Sequence, residues 1–477
     1  MSYETEGACC GLYTSSFNSV TFIAYTSGDL CYLKDDKLVK LLTISANAHP
    51  VFAETSNHML IADGYTLYAV DLRNMTQTVV TLPKRITADD EYVQPSYVAV
   101  VDQTVCINDI DTDLVYFTIR NPLMTDTRSV FEVEDGKVVY EDDGITVKEK
   151  TVSSADYMFL DDYGTQMYFT ASSSADLVQA ISSVDDKLVI FGQNSIEIRQ
   201  KQINQLDTQT DVSWQLVTHT EQKTYGIYAA HSLARIDKQQ FMIGCGEATG
   251  VCVLAMSGAE VKRVSLPWID RLLDEHATHD TEGWTYSSNG HSFYVIVLKD
   301  FSVCYDVSTD QWHFRLSRNY DLTKTAYIAK YCTFNDGKLY VGSSMNTSVM
   351  LLDDTYYYED LDEDTRVALL RIRQSPVFNV NYAPFMISSV SVEMNTGCAA
   401  DYEEPAKMLL SLSQDGGYTY SNSIETSCGK LGQYSARAMW LNLGMTRLAV
   451  IRLAYSEPTP FTLNYAHIDY TQLGYAV

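Results

Sequence analysis

The chain is short of positive charge. Its 477 residues carry 34 Lys and Arg against 61 Asp and Glu, a formal net charge of −27. Sequence-specific duplex binding draws its affinity mainly from Lys and Arg that neutralise phosphates, so this balance argues against that function. Long apolar runs are missing too. None approaches the ~20 residues needed to cross a bilayer, so no stable membrane insertion is expected. The opening MSYETEGACCGLY has neither a basic n-region nor an apolar h-region, so no secretory signal is expected and synthesis in a cytoplasm is the matching expectation. The ten cysteines contain no C-x-x-C pair. Cys9 and Cys10 are adjacent and the others scattered, a pattern of strand thiols in a reduced compartment rather than of a disulfide framework. There is no Walker loop, no G-x-S-x-G elbow and no H-E-x-x-H, and nothing in the sequence implies a cofactor.

What the chain has in excess is tyrosine, 34 residues of it, within a composition that is 46% hydrophobic and 20% charged. Such a balance is globular. Tyr with Val, Thr and Ile favours pleated, half-buried strands, which makes all-β the first expectation. Tyr also suits protein contacts, where one end of the ring is dry and the other wet. The acidity has two readings: solubility alone, or a wall past which DNA slides without being held.

A unit of apolar run, break at Gly, Asp or Asn, and second alternating run recurs along the chain. It is seen at SNHMLIADGYTLYAVDL, DDKLVIFGQNSIEIRQ, QQFMIGCGEATGVCVLA, GHSFYVIVLKDFSVCYDV and DGKLYVGSSMNTSVMLL. The first runs centre on Ile61, Ile190, Ile243, Ile296 and Val341, and the last four are 53, 53 and 45 residues apart. A weaker unit centres on Ile107, and Phe22 to Leu42 supplies an opening one. This period, at about four strands per unit, predicts a β-propeller of about six or seven blades over residues 1–355. Ile107 and Ile190 are 83 residues apart. The excess, about 121–163, is read as a β-rich insertion projecting from one blade, with a degenerate extra blade as the competing reading. The one helix expected starts at Pro267 and runs through Glu275, linking blades. Past Leu352 the acidic, aromatic DDTYYYEDLDEDTR marks a boundary, and residues 366–477 are expected to form a β-sandwich.

Candidate chemistry is thin. His276 and His279 stand at H-x-x-H spacing, without a third ligand at a characteristic distance, so a helix end is the simpler reading. Asp109, Asp111 and Asp113 alternate as in a calcium loop, but the Gly and distal Glu are missing and a turn with exposed acids is expected. Ser413, Asp415, Gly417, Thr419 and Tyr420 follow S-x-D-x-G-x-T-[aromatic], which resembles the Asp-box hairpin of sialidase propellers. A glycan-binding or sialidase-like propeller is therefore the alternative function. It needs converging arginines, and Arg199, Arg235 and Arg263 form no triad in the sequence.

The Asp-box is followed by Gly429-Lys430, Gly432 and Tyr434, then Arg437, Trp440, Leu443-Gly444 and Arg447, then Arg452, Ser456 and Pro458. That order resembles the C-terminal part of the tail-nozzle, or packaged-DNA stabilisation, proteins of short-tailed double-stranded DNA phages. So do Gly290-His291-Ser292-Phe293-Tyr294, Tyr305-Asp306 and Gln311-Trp312-His313-Phe314-Arg315, and the DDKLVIFGQNSIEI segment. One departure stands out: the family's usual Gly-Cys ahead of Ser-[IVL]-Ala is replaced by Tyr228-Ala229-Ala230-His231 before Ser232-Leu233-Ala234.

The resemblance implies a non-catalytic virion protein of the phage tail, forming a homo-oligomeric ring of six copies. It further implies contact with the adaptor below the portal, with tail fibres, spikes or plug, and transiently with translocating DNA. Under that reading Tyr356, Tyr357 and Tyr358 are candidate interface residues. Glu359, Asp360, Asp362, Glu363 and Asp364 are candidate lumen acids, with Glu141, Asp142 and Asp143 as second choice, and solvated outer loops are the alternative for both clusters.

Overall fold

The computed structural model describes residues 6–35, 37–86, 90–118, 123, 125–134, 137–141, 143, 145–171, 176–206, 209–218, 225–246, 249–318, 323–360, 365–399 and 404–473. The chain divides into two compact units: residues 1–317 with 324–352, and residues 318–323 with 353–477.

In the first unit the described residues form six four-stranded antiparallel sheets and one three-stranded sheet, seven blades in chain order. Each blade begins with the strand that packs against the first strand of its neighbours. These inner strands are Cys9–Thr14 (β1), Val51–Glu54 (β2), Val98–Val101 (β3), Val178–Val184 (β4), Gly226–Ile236 (β5), Glu282–Ser288 (β6) and Ala329–Asn335 (β7). Blade 7 closes the circle on blade 1. Thr333 Oγ1 donates to Thr14 Oγ1 at 2.8 Å, Asn335 Nδ2 to Ser19 O at 2.8 Å, and the Tyr25 hydroxyl to Thr347 O at 3.1 Å.

The apolar centres read from the sequence all fall on second strands. Ile61, Ile107, Ile190, Ile243, Ile296 and Val341 are buried. A second strand has a blade on each face, so both sets of its side chains are covered and it reads as a continuous hydrophobic run. The inner strands are less regular. Pairing shifts between Cys9 and Gly11, Val178 and Ala180, Ile227 and Ala234, and Lys330 and Cys332. Such bulges re-aim side chains where strands crowd together.

The outer strand of blade 3 is Tyr168–Thr170, paired with Leu114–Phe117. Between those two strands the chain forms two short ladders, Thr127–Phe131 with Glu149–Ser153 and Val133–Glu134 with Lys137–Val138. The extra residues therefore sit within one blade, before its last strand. The single described helix, Pro267–His276 (α1), has Pro in its first turn and links blade 5 to blade 6. Its buried Ile269 and Leu273 pack with Phe241, Tyr294 and Tyr305.

The second unit is a sandwich. One sheet orders Arg371–Gln374 (β8), Val450–Tyr455, Lys407–Ser413 and Ile424–Ser427; the other orders Ala438–Thr446, Phe385–Met394 and Leu463–Gln472. Between them lie Phe385, Val390, Met408, Leu410, Trp440 and Leu453. Ahead of β8 in the chain, Arg366–Ala368 pairs with Tyr358–Asp360, and β8 joins the sandwich.

Candidate functional site

The Asp-box segment is a turn at the end of the Lys407–Ser413 strand, and its geometry follows from its side chains. Ser413 Oγ donates to Asp415 Oδ1 at 2.7 Å and accepts the Gly417 N–H at 2.8 Å. The Asp415 carboxylate accepts the N–H groups of Tyr418 and Thr419 at 3.0 Å and the Thr419 hydroxyl at 2.5 Å. Gly416 and Gly417 have φ of 84° and 103°, a region closed to most side chains. Thr419 and the other donors hold the Asp415 carboxyl well below its usual range. This arrangement is a turn-stabilising device that leaves Tyr418 91% exposed. Asp415→Ala is expected to leave the melting temperature of the chain nearly unchanged while raising chymotrypsin cleavage at Tyr418 and Tyr420 severalfold. Unchanged cleavage would show that the turn does not depend on the carboxylate.

The remaining motif residues of the sandwich separate into packing and surface positions. Trp440 is buried and its Nε1 donates to Ile424 O at 2.7 Å. Tyr420 lies under the Arg452 guanidinium, 5.3 Å away. Gly432 takes a φ of 81° and its N–H reaches Gly397 O. Gly444, at φ 92°, follows a bulge opposite Ile387 and Ser389. Tyr434, Arg437 and Arg447 are exposed.

At the start of the second unit, Tyr356 and Tyr358 are exposed with rings 5.9 Å apart, and Tyr357 packs 5.2 Å from the Arg371 guanidinium. Glu359 accepts the Arg318 N–H at 2.9 Å. Asp360 accepts the Tyr356 hydroxyl at 2.6 Å and pairs with Arg366 at 3.2 Å. Asp362, Glu363 and Asp364 lie outside the described residues, as does Asp142. Glu141 is exposed, and Asp143 accepts the N–H groups of Ile145 and Thr146, capping its own turn.

The isolated motifs do not converge on chemistry. His279 Nδ1 is 2.8 Å from Tyr228 O and its ring lies on Tyr228, whereas His276 meets the Phe301 ring edge-on. Among the described residues no three His, Cys, Asp or Glu side chains are grouped to hold a metal. The expectation of exposed acids at Asp109 fails. Asp109 is fully buried, pairs with Arg85 at 2.8 Å and accepts the Gln94 N–H, so it fastens one loop to another. The arginines weighed for glycan chemistry each have local partners: Arg199 pairs with Glu197, Arg235 donates to Asp237 O and Ser183 O, and Arg263 pairs with Asp270. In the phage-like Gly290 to Arg315 segment, Tyr294 donates to Ser232 O, Trp312 to Val264 O, and Arg315 lies over Tyr286 and Phe293. The first two contacts join blade 6 to blade 5, and the Arg315 contacts lie within blade 6.

The constellation that the sequence did not reveal lies on the propeller axis. A cavity of about 860 Å³ is lined by residues of all seven inner strands. Beside it, Glu282 at the start of β6 is 2.9 Å from His49 Nδ1 and 2.8 Å from Lys330 Nζ. The Lys330 contact is an ion pair, and neither His49 Nδ1 nor Glu282 Oε2 has a well-aligned hydrogen-bond partner. The His49 ring stacks on His231 at 4.4 Å, and His231 on Tyr97 at 5.9 Å. Burial would raise the Glu282 carboxyl, but His49 and the charge of Lys330 outweigh it and hold the group below its ordinary value. The five residues come from five places in the chain, so no local motif announces them.

Comparison with known proteins adds the identity of the chain's relatives. No curated protein matches it significantly. Among solved structures it is similar to the extracellular domain of a hybrid two-component system from B. thetaiotaomicron, at 8% identity and a TM-score of 0.41, covering 88% of this chain and 46% of that one. The chain thus spans under half the length of that protein. It is also similar to BamB from Moraxella catarrhalis, at 11% identity, a TM-score of 0.36 and coverage of 73% and 87%, and to the Neurospora crassa Pan2 WD40 domain, at 7% identity, a TM-score of 0.37 and coverage of 72% and 88%. Likenesses at this level carry no inference about function. Two family models match: bacteriophage P22 Gp10, beta-propeller, over residues 28–357, and bacteriophage P22 Gp10, beta-sandwich, over residues 371–471. With both parts matched in order, the chain belongs to the bacteriophage P22 Gp10 family of structural phage tail proteins, the packaged-DNA stabilisation family that its motifs resemble.

Proposed function

We propose that the protein is a ring-forming nozzle subunit of a short phage tail, without catalytic activity, that extends the DNA channel below the portal and adaptor. In the virion it retains packaged DNA and seats fibres, spikes or a plug. The observation that carries this reading is the paired match of propeller and sandwich to one tail-protein family, across residues 28–357 and 371–471. The net charge of −27 supports it, because acids near a passing duplex keep phosphates from binding the wall. Screening beyond about 8 Å at physiological salt confines this effect to the acids that line the lumen.

A ring needs heterologous lateral contacts, and six copies is the proposed order. Exposed Tyr356 and Tyr358 are the proposed contact residues. Glu359, Asp360, Asp362, Glu363 and Asp364 are the proposed lumen acids. Mass measurement and imaging of assembled tails are expected to show six copies around an acidic lumen. Another ring order would remove the stoichiometry, and a lumen lined mainly by Lys and Arg would remove the repulsion mechanism. Exchanging lumen acids for lysine is expected to slow DNA ejection without preventing tail assembly.

A further inference from the structure

The inner strand of blade 5 breaks register between Ala229 and Ala234. Ala229 pairs with Ile243 and Ala234 with Phe241, so residues 230–233 stand opposite a single residue, Met242. Ser232 fills the gap in the ladder. Its hydroxyl donates to Ala229 O at 2.6 Å and accepts the Ile243 N–H at 2.8 Å, while its carbonyl accepts the buried Tyr294 hydroxyl at 2.8 Å. There is no slack on that side: a Cβ on Gly283 would lie 2.7 Å from the Ser232 carbonyl. The bulge is thus anchored to blade 6 at Ser232 and presents His231 toward the axis.

His231 is packed as a neutral ring. It lies 4.4 Å from His49 and 5.9 Å from Tyr97, whose hydroxyl is 3.4 Å from His231 Nδ1. The charged and titratable groups that face it are His49 ahead of β2, Tyr97 ahead of β3, Asp280 and Glu282 at the start of blade 6, and Lys330 on β7. Glu282 is already committed to His49 and Lys330. Burial and the His49 imidazole, which oppose a proton on His231, outweigh the Glu282 and Asp280 carboxylates, which favour one.

We propose that the 230–233 bulge is a proton-operated latch: neutral His231 completes the axial stack with His49 and Tyr97, and protonated His231 leaves it, which loosens the bulge in the wall of the axial cavity. Burial, reinforced by His49, pushes the imidazole down to about 4. Because the packed value lies below the ordinary 6.5, the latch is fully closed above 6.5 and its contribution is lost as pH falls from there toward 4. The packed state disfavours the proton by a few hundred-fold, on the order expected for that gap.

Hydrogen–deuterium exchange on the full chain, corrected for intrinsic rates, tests this at pH 7 and pH 4.5. In the wild type, protection of residues 226–236 is expected to fall at least tenfold at the lower pH. His231→Phe keeps the stacked ring without the proton and is expected to hold protection constant. Equal loss in both proteins, or none in the wild type, would overturn the latch. If His231→Phe does not fold, His49→Phe serves instead. Without the neighbouring imidazole, and with Glu282 released toward it, packed His231 takes its proton more readily, so the gap below 6.5 narrows and the loss of protection at pH 4.5 is expected to be smaller than in the wild type. An unchanged loss would overturn the proposal equally.

Discussion

Glu282→Gln is expected to cost about 3–5 kcal/mol of stability, the cost of breaking a buried ion pair by removing one partner. The carboxylate is buried at the head of β6, with Lys330 and His49 against it. Gln keeps the shape but leaves the Lys330 ammonium, whose side chain is itself only 15% exposed, without a countercharge. The pair links blade 6 to blade 7 beside the axis, so the loss falls on the inner strands that close the propeller. Glu282→Gln combined with Lys330→Met is expected to recover a large part of the loss, because the uncompensated charge leaves with the second change. Urea unfolding of the full chain measures both, and a single-variant loss below about 1 kcal/mol would show that water compensates the ammonium. The acid dependence has a definite sign. The Glu282 carboxyl is held below its ordinary 4.5, so its contribution is present above that value and is lost as pH falls through the folded value.

How much of this was legible in the sequence depends on how locally each feature is encoded. The blades were legible through their second strands, because Ile61, Ile190, Ile243 and Ile296 sit in runs covered on both faces. Inner strands were harder: Val51–Glu54 is only half-buried throughout, and Cys9–Thr14 and Ala329–Asn335 are interrupted by bulges. The Asp-box was legible because four residues within one turn satisfy each other. Asp109 was misread because its partner Arg85 lies in another segment, and an alternating DIDTD gives no sign of a cation brought to it by folding. The axial cluster has no signature of that kind. His49, His231, Glu282 and Lys330 are single polar residues at the ends or bulges of four inner strands, and only closure of the propeller brings them together.

Trp440→Ala is expected to destabilise the sandwich by about 3–5 kcal/mol, whereas Arg437→Ala and Arg447→Ala are expected to change stability by under about 0.5 kcal/mol. All three positions belong to the same R-x-x-W-x-x-LG-x-x-R series, so sequence spacing alone treats them alike. Structure separates them. Trp440 is 2% exposed, fills the space between Phe385–Met394 and the opposite sheet, and gives its Nε1 hydrogen to Ile424 O. Removing it leaves a cavity that the two sheets can collapse only in part. Trp440→Phe retains most of the ring volume and loses the hydrogen bond, for which about 1–2 kcal/mol is expected. Both arginines are exposed, and their removal opens no cavity. Urea unfolding of the full chain sets the scale, and tail assembly by the same variants supplies the contrast. If Arg437→Ala or Arg447→Ala leaves unfolding unchanged yet blocks assembly, that arginine contacts a partner in the tail. If either destabilises the free chain as strongly as Trp440→Ala, its role is internal and the division between packing and surface positions in the motif is wrong.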